Sequence, residues 1–102
     1  MILVMNRFGV TPGREADFEA AFKGRAKLID KMPGFVALDV MRPNGEEGVF
    51  VSMARWESLE AFEGWTNSDE FKQAHAKRHT GMFTGHPKLE IFEVFDSAQA
   101  GE

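Results

Sequence analysis

The sequence predicts an α+β domain in which a four-stranded antiparallel sheet carries its helices on one face. Three observations lead there. Four apolar runs of strand length, Ile2–Val10, Phe35–Met41, Val49–Trp56 and Leu89–Phe95, are bounded by turn residues. Segments with helical spacing of apolar residues separate the first run from the second and the third from the fourth. The second and third runs are joined only by Arg42-Pro43-Asn44-Gly45-Glu46-Glu47-Gly48, a hairpin loop by its Pro, Asn-Gly and Gly content. The order is β-α-β-β-α-β, the ferredoxin-like topology.

Each element has its own signal. Thr11-Pro12-Gly13 ends the first strand with turn chemistry. The first helix runs from about Arg14 to Lys31, with Phe18, Phe22, Arg25, Ile29 and Met32 on one stripe. Arg25 is the polar member of that stripe, placed to meet a carboxylate or to snorkel. Met32-Pro33-Gly34 stops the helix. Ser58 is the expected N-cap of a short helix through Trp65, with Glu60 in its first turn. Ser68 caps a continuation from Asp69 to about His79, so the second helix is broken near Asn67. Thr80 to Pro87 is a loop. The domain spans residues 1–97, and the tail 98–102 is expected to be disordered.

At 102 residues the chain is one domain, and its size suffices to bury a core. Ten phenylalanines and six methionines supply the packing surface. A net charge of −4 without any Lys/Arg run speaks against a nucleic-acid groove. No cysteine is present, which excludes disulfides, zinc–thiolate and iron–sulfur sites and thiol catalysis. The apolar start, Met1 to Met5, is too short for a signal peptide or membrane span. A cytoplasmic protein is the expectation.

With helices on one face, the other face of the sheet should alternate to polar residues. It does not: Ile2/Leu3, Phe35/Val36, Val49/Phe50 and Ile91/Phe92 place apolar side chains on both faces. An apolar open face needs cover, and a second copy of the same sheet supplies it most simply. A face-to-face homodimer is therefore expected.

Three polar or aromatic residues stand out. Asn6 interrupts an apolar strand on the face of Ile2, Val4, Phe8 and Val10. It is either bonded to neighbouring backbone or aimed as an amide donor into the space between sheet and helices. Trp65 lies at the helix break, as an ordinary core aromatic or as a flat wall for a planar ligand. Trp56, at the end of the third strand, reads as packing. Phe71, His75 and His79 follow each other at intervals of four on one helical stripe. A neutral imidazole there is a surface residue or a metal ligand. No HExxH or second acidic ligand accompanies it, but one histidine suffices when a porphyrin supplies the other ligands. His79 and His86 are not ranked below His75 by the residues alone.

The stretch from Trp56 to His75 follows W-x-S-x-x-x-F-x-x-W and then S-x-x-F-x-x-A-H. With Asn6-Arg7, Thr11-Pro12-Gly13 and Met32-Pro33-Gly34-Phe35, it resembles the antibiotic-biosynthesis-monooxygenase superfamily, in its heme-degrading branch of iron-regulated-surface-determinant type. The resemblance covers nearly the whole chain. It implies an Asn-Trp-His triad at Asn6, Trp65 and His75, with His75 the axial ligand of heme iron. Trp65 and Phe71 would line the porphyrin, and Asn6 would bond near the distal oxygen or a ring nitrogen. Heme is then substrate and cofactor together, with O2 and an external reductant, since no GxGxxG fingerprint occurs here. The obligate dimer of the family agrees with the doubly apolar sheet.

A porphyrin needs a cavity of several hundred cubic ångströms, and the breaks at Asn67 and Thr80–Pro87 are where it would open. Arg7, Arg25, Lys72 and Arg78 are all available for its propionates. Two rivals remain. One keeps the fold as a cofactor-free monooxygenase of a quinol or aromatic polyketide, weakened by the complete lack of tyrosine. The other is a non-catalytic dimeric heme-binding module.

Overall fold

The computed structural model describes residues 1–45, 49–75 and 81–101, the side chains of 24–27 excepted. Its elements are β1 (Ile2–Gly9), α1 (Glu15–Ile29), β2 (Phe35–Met41), β3 (Val49–Trp56), α2 (Leu59–Thr66), α3 (Asp69–Ala74) and β4 (Lys88–Glu93). The strands form one antiparallel sheet in the order β2-β3-β1-β4, as the ferredoxin-like reading requires.

Boundaries differ from the sequence reading by one to two residues. Val10 leaves β1 to make a lone antiparallel bridge with Phe83, because the chain there turns toward the 81–87 loop. The first helix begins at Glu15 and ends at Ile29, where the Met32 N–H already bonds back to the Ile29 carbonyl. The last strand stops at Glu93, and Phe95 beyond it is 99% exposed. The break near Asn67 is where α2 ends and α3, capped by Ser68, begins. The expected end near His79 and the residues 46–48 of the hairpin loop lie outside the described residues.

Strand pleating sorts the side chains. Ile2, Val4, Asn6 and Phe8 of β1 face the helices beside Phe50, Ser52, Ala54 and Trp56 of β3. Two groups of buried side chains result. One joins Ile2, Val4, Ile29, Ala54, Trp56 and Trp65. The other joins Phe8, Val10, Phe18, Phe22, Phe50 and Met82. Phe18 is wholly buried, with ring centroids 4.5 Å from Phe22 and 4.7 Å from Phe50. Burial of one such ring contributes about 2–3 kcal/mol. The helices do not extend over β4, so its inward Leu89 and Ile91 stay half exposed.

The opposite face carries Leu3, Met5, Val51, Met53 and Phe92, of which Phe92 is 43% exposed. At one end Arg7 Nε donates to Glu90 Oε1 at 2.8 Å. That hydrogen bond, with the nearby positive charge, holds the Glu90 carboxyl below its usual range. Arg7 therefore stands on the far side of the sheet from the helices and is engaged there.

Gly34 fixes how α2 meets the sheet. Its φ of +80° lies in the left-handed region, its carbonyl accepts the Glu57 N–H at 2.8 Å, and a Cβ there would sit 2.5 Å from Ala61 Cβ. Backbone strain and overpacking add. Gly34→Ala is expected to lower stability by about 2–4 kcal/mol in chemical denaturation, and an unchanged midpoint would refute this role.

Candidate functional site

A cavity of about 210 Å³ lies between the inward sheet face and the three helices. The sheet supplies its floor, including Asn6, Ser52, Ala54 and Trp56, and the helices supply Phe22, Phe62, Trp65, Phe71 and His75. Asn6, Trp65 and His75, the three residues singled out from the sequence, thus border one hollow.

Asn6 reaches it by pleating alone. Its Cα partners are Ser52 on β3 and Leu89 on β4, both cavity residues. Its side chain makes no hydrogen bond to a described residue, so the backbone-bonded alternative does not hold and the amide is offered to the cavity. Ser52 is the one polar residue among the buried described residues, at 9% exposure. Sequence reasoning passed over it, although the inward series Phe50, Ser52, Ala54, Trp56 makes the hydroxyl visible once the register is known. Trp56, read as packing, is fully buried, and its Nε1–H has no partner among the described residues, so this wall also carries an unmet donor.

Trp65 and His75 are placed by the turn between α2 and α3. Ser58 Oγ accepts the Ala61 N–H at 3.1 Å and starts α2. At the other end Ser68 Oγ donates to the Trp65 carbonyl at 2.6 Å and accepts the Phe71 N–H at 3.0 Å. One hydroxyl thereby closes α2 and opens α3, with Asp69 and Glu70 at the positive end of the new helix. Trp65, 6% exposed, meets Phe71 edge to face at 5.4 Å and 84°.

His75 caps α3, and its ring stacks on Phe71 at 4.0 Å and 28°. The residue is exposed and borders the cavity at its mouth. Its Nδ1 lies 2.8 Å from the Phe71 carbonyl. A carbonyl only accepts, so Nδ1 carries the proton and the lone pair of the neutral ring is on Nε2. Metal-binding histidines commonly donate their other ring N–H to a carbonyl in this way, which fixes the ring's orientation.

Other sequence candidates fall elsewhere. His86 is exposed in the 81–87 loop and does not border the cavity, and neither does Lys72. His79, Arg78 and the Arg25 side chain lie outside the described residues. Among the described residues no three His, Cys, Asp or Glu side chains are grouped to hold a bare metal ion, and no helix is long and apolar enough to cross a membrane.

The model of the antibiotic biosynthesis monooxygenase family matches residues 1–77. The chain belongs to that family. A mycobilin-producing heme oxygenase of Mycobacterium tuberculosis is 32% identical over 102 residues, which cover 99% of this chain and 96% of that protein. A heme-degrading monooxygenase of Halalkalibacterium halodurans is 27% identical over 96 residues, 92% of this chain and 82% of its own. Among solved structures, the heme-degrader MhuD of Mycobacterium tuberculosis with two hemes in its active site has a TM-score of 0.82 at 28% identity, covering 97% of this chain and 100% of that one. SnoaB of Streptomyces nogalater, a cofactor-independent oxygenase, has a TM-score of 0.75 at 24% identity over 99% of this chain and 97% of its own, and shows the fold alone. This member of the family is an enzyme, a monooxygenase.

Because one hydroxyl joins the two helices, Ser68→Ala is expected to cost about 1 kcal/mol of stability. Amide hydrogen exchange at Phe71 and His75 should accelerate more than in β1 or β3. Equal protection in variant and wild type would show that Ser68 does not position α3.

Proposed function

We propose that this monooxygenase binds heme through His75 and oxidatively opens the porphyrin, releasing iron. The observation that carries the reading is the convergence of Asn6, Trp65 and His75 on one apolar cavity, with the His75 tautomer set by the Phe71 carbonyl. Relatives named as heme-degrading enzymes across nearly the full chain support it.

The residues suit the group chemically. Trp65, Phe71 and Phe62 offer flat apolar walls, the His75 imidazole borders the mouth, and the Asn6 amide lies on the floor. Volume is the tighter constraint, because pockets that enclose larger ligands measure roughly 300–1,000 Å³. The cavity as it stands would hold only part of a porphyrin, and the exposed Leu89 and His75 would border the part left outside. A further groove of about 350 Å³ between α1 and β2 shares Phe22 and Leu38 with the cavity, and movement of those two side chains would enlarge it. Bound heme supplies oxygen activation, with O2 and an external reductant as co-reactants. The protein's task is to hold the ring, exclude water from its inner edge and hold hydrogen bonds at the floor.

The volume as it stands favours a second reading, a cofactor-free monooxygenase of a smaller quinol or polycyclic aromatic. A heme-binding module without turnover is a third. Hemin titration followed by ascorbate under air separates them. Binding, bleaching and chelatable iron support the oxygenase; a stable complex supports the binding module; no binding favours the aromatic substrate. His75→Ala is expected to weaken hemin binding about tenfold or more and to abolish bleaching, and unchanged spectra would place the ligand elsewhere.

The working unit in this reading is a homodimer joined through the open sheet face, where Leu3, Met5, Val51, Met53 and Phe92 form an apolar field. Sedimentation velocity is expected to show twice the 11.5 kDa chain mass. Met53→Glu should dissociate it, and a wild-type monomer at tens of micromolar would refute the pairing.

A further inference from the structure

We propose that Ser52 is a ligand-binding residue, its hydroxyl and the Asn6 carboxamide forming a two-point polar platform on the floor of the cavity. The ligand class it selects is a planar aromatic that turns an oxygen or nitrogen toward the sheet.

The register supplies the first argument. Asn6 and Ser52 are Cα partners in the β1–β3 ladder and project from the same sheet face. Directly opposed residues have Cβ atoms roughly 4.5–5.5 Å apart, so the amide and the hydroxyl stand side by side. Both border the same cavity.

Satisfaction of hydrogen bonds supplies the second. Neither side chain bonds to a described residue. Among the described residues the only polar side-chain atom both sealed from solvent and unpartnered is Trp56 Nε1. The Ser52 oxygen and the Asn6 amide therefore remain reachable from the cavity. A residue 9% exposed on an inward stripe of Phe50, Ala54 and Trp56 gains nothing for packing from a hydroxyl that alanine would lack.

Chemistry supplies the third. A serine hydroxyl donates and accepts, and an asparagine amide does both through separate atoms. Side by side they match a ligand with a hydroxyl or carbonyl pair, or a ring nitrogen edge, and discriminate against a bare hydrocarbon of the same shape. The inference rests on the cavity being the substrate site, as proposed above, but does not require iron.

The test uses the full chain, with Ser52→Ala and Ser52→Thr, and two probes: hemin, and dithranol, a tricyclic hydroxyaromatic ketone without metal. Dissociation constants and melting temperatures are measured for each. The expected result is that Ser52→Ala melts at or above the wild type while weakening a bound probe about five- to tenfold, the worth of one hydrogen bond. Ser52→Thr, which keeps the hydroxyl, should restore most of that loss. If the wild type ignores hemin but binds dithranol in a Ser52-dependent way, the heme reading falls and the platform stands. If hemin binds and Ser52→Ala leaves every measured affinity unchanged, the platform is overturned and the heme reading survives; if only dithranol binds and Ser52→Ala leaves its affinity unchanged, both are overturned. If neither probe binds the wild type, both fall. A lowered melting temperature with a binding loss that Ser52→Thr does not restore would make the hydroxyl structural and also overturn the proposal.

Discussion

The β1–β3 register is the constraint on which the rest of the molecule depends. Ile2 opposite Trp56 and Phe8 opposite Phe50 put the bulky residues of both strands under the helices. Because side chains alternate with a period of two, a slip of one residue in β1 would turn Asn6 and Phe8 to the open face and bring Arg7 inward. The apolar residues in Ile2, Val4 and Phe8 therefore fix more than stability. They hold one amide on the floor of the hollow, opposite one hydroxyl, as passengers of the packing around them.

A second device works at the helices. Ser68 joins α2 to α3 through a single oxygen, so the indole of Trp65 and the stack of Phe71 on His75 belong to one locally determined unit. Short helices are weak by themselves and rely on packing. Here Trp65 is buried in the core while His75, one helix later, lies at the mouth. The anchored end and the accessible end of the site are thus ten residues apart in sequence and coupled through Phe71. This gradient leaves the accessible end free to open locally without dissolving the core.

The uncovered strand β4 and the open sheet face have different meanings. Leu89 and Ile91 are half exposed because no helix covers β4, and this leaves the cavity with an edge open to solvent. The opposite face has apolar side chains along β1 and β3 with charged ones around them, the Arg7–Glu90 pair at one end, Arg55 at the other and Asp39 beside Met53. An interface built there would have an apolar centre and a polar rim, the usual anatomy of a protein contact. Exposed ion pairs of this kind add little stability by themselves.

Local sequence determined much of this protein. Turn chemistry at Pro12-Gly13 and Pro33-Gly34, serine caps at Ser58 and Ser68, and apolar periodicity place the strands, α1, α2 and the start of α3 to within two residues, because these signals act over three or four positions. They also brought out Asn6, Trp65 and His75, each conspicuous as a departure from its local pattern. The tertiary structure alone decided the rest. Ser52 is unremarkable in its own strand and becomes notable only opposite Asn6, forty-six residues away. Trp56 packs in the core as its strand position suggests, but only the fold shows that its Nε1–H is sealed without a partner among the described residues. Which face the helices cover, and hence that Arg7 lies away from the cavity, was likewise settled only there. The physical reason is common to all three: what a strand residue faces is set by the partner strand and the covering helices, and neighbours along the chain carry no record of them.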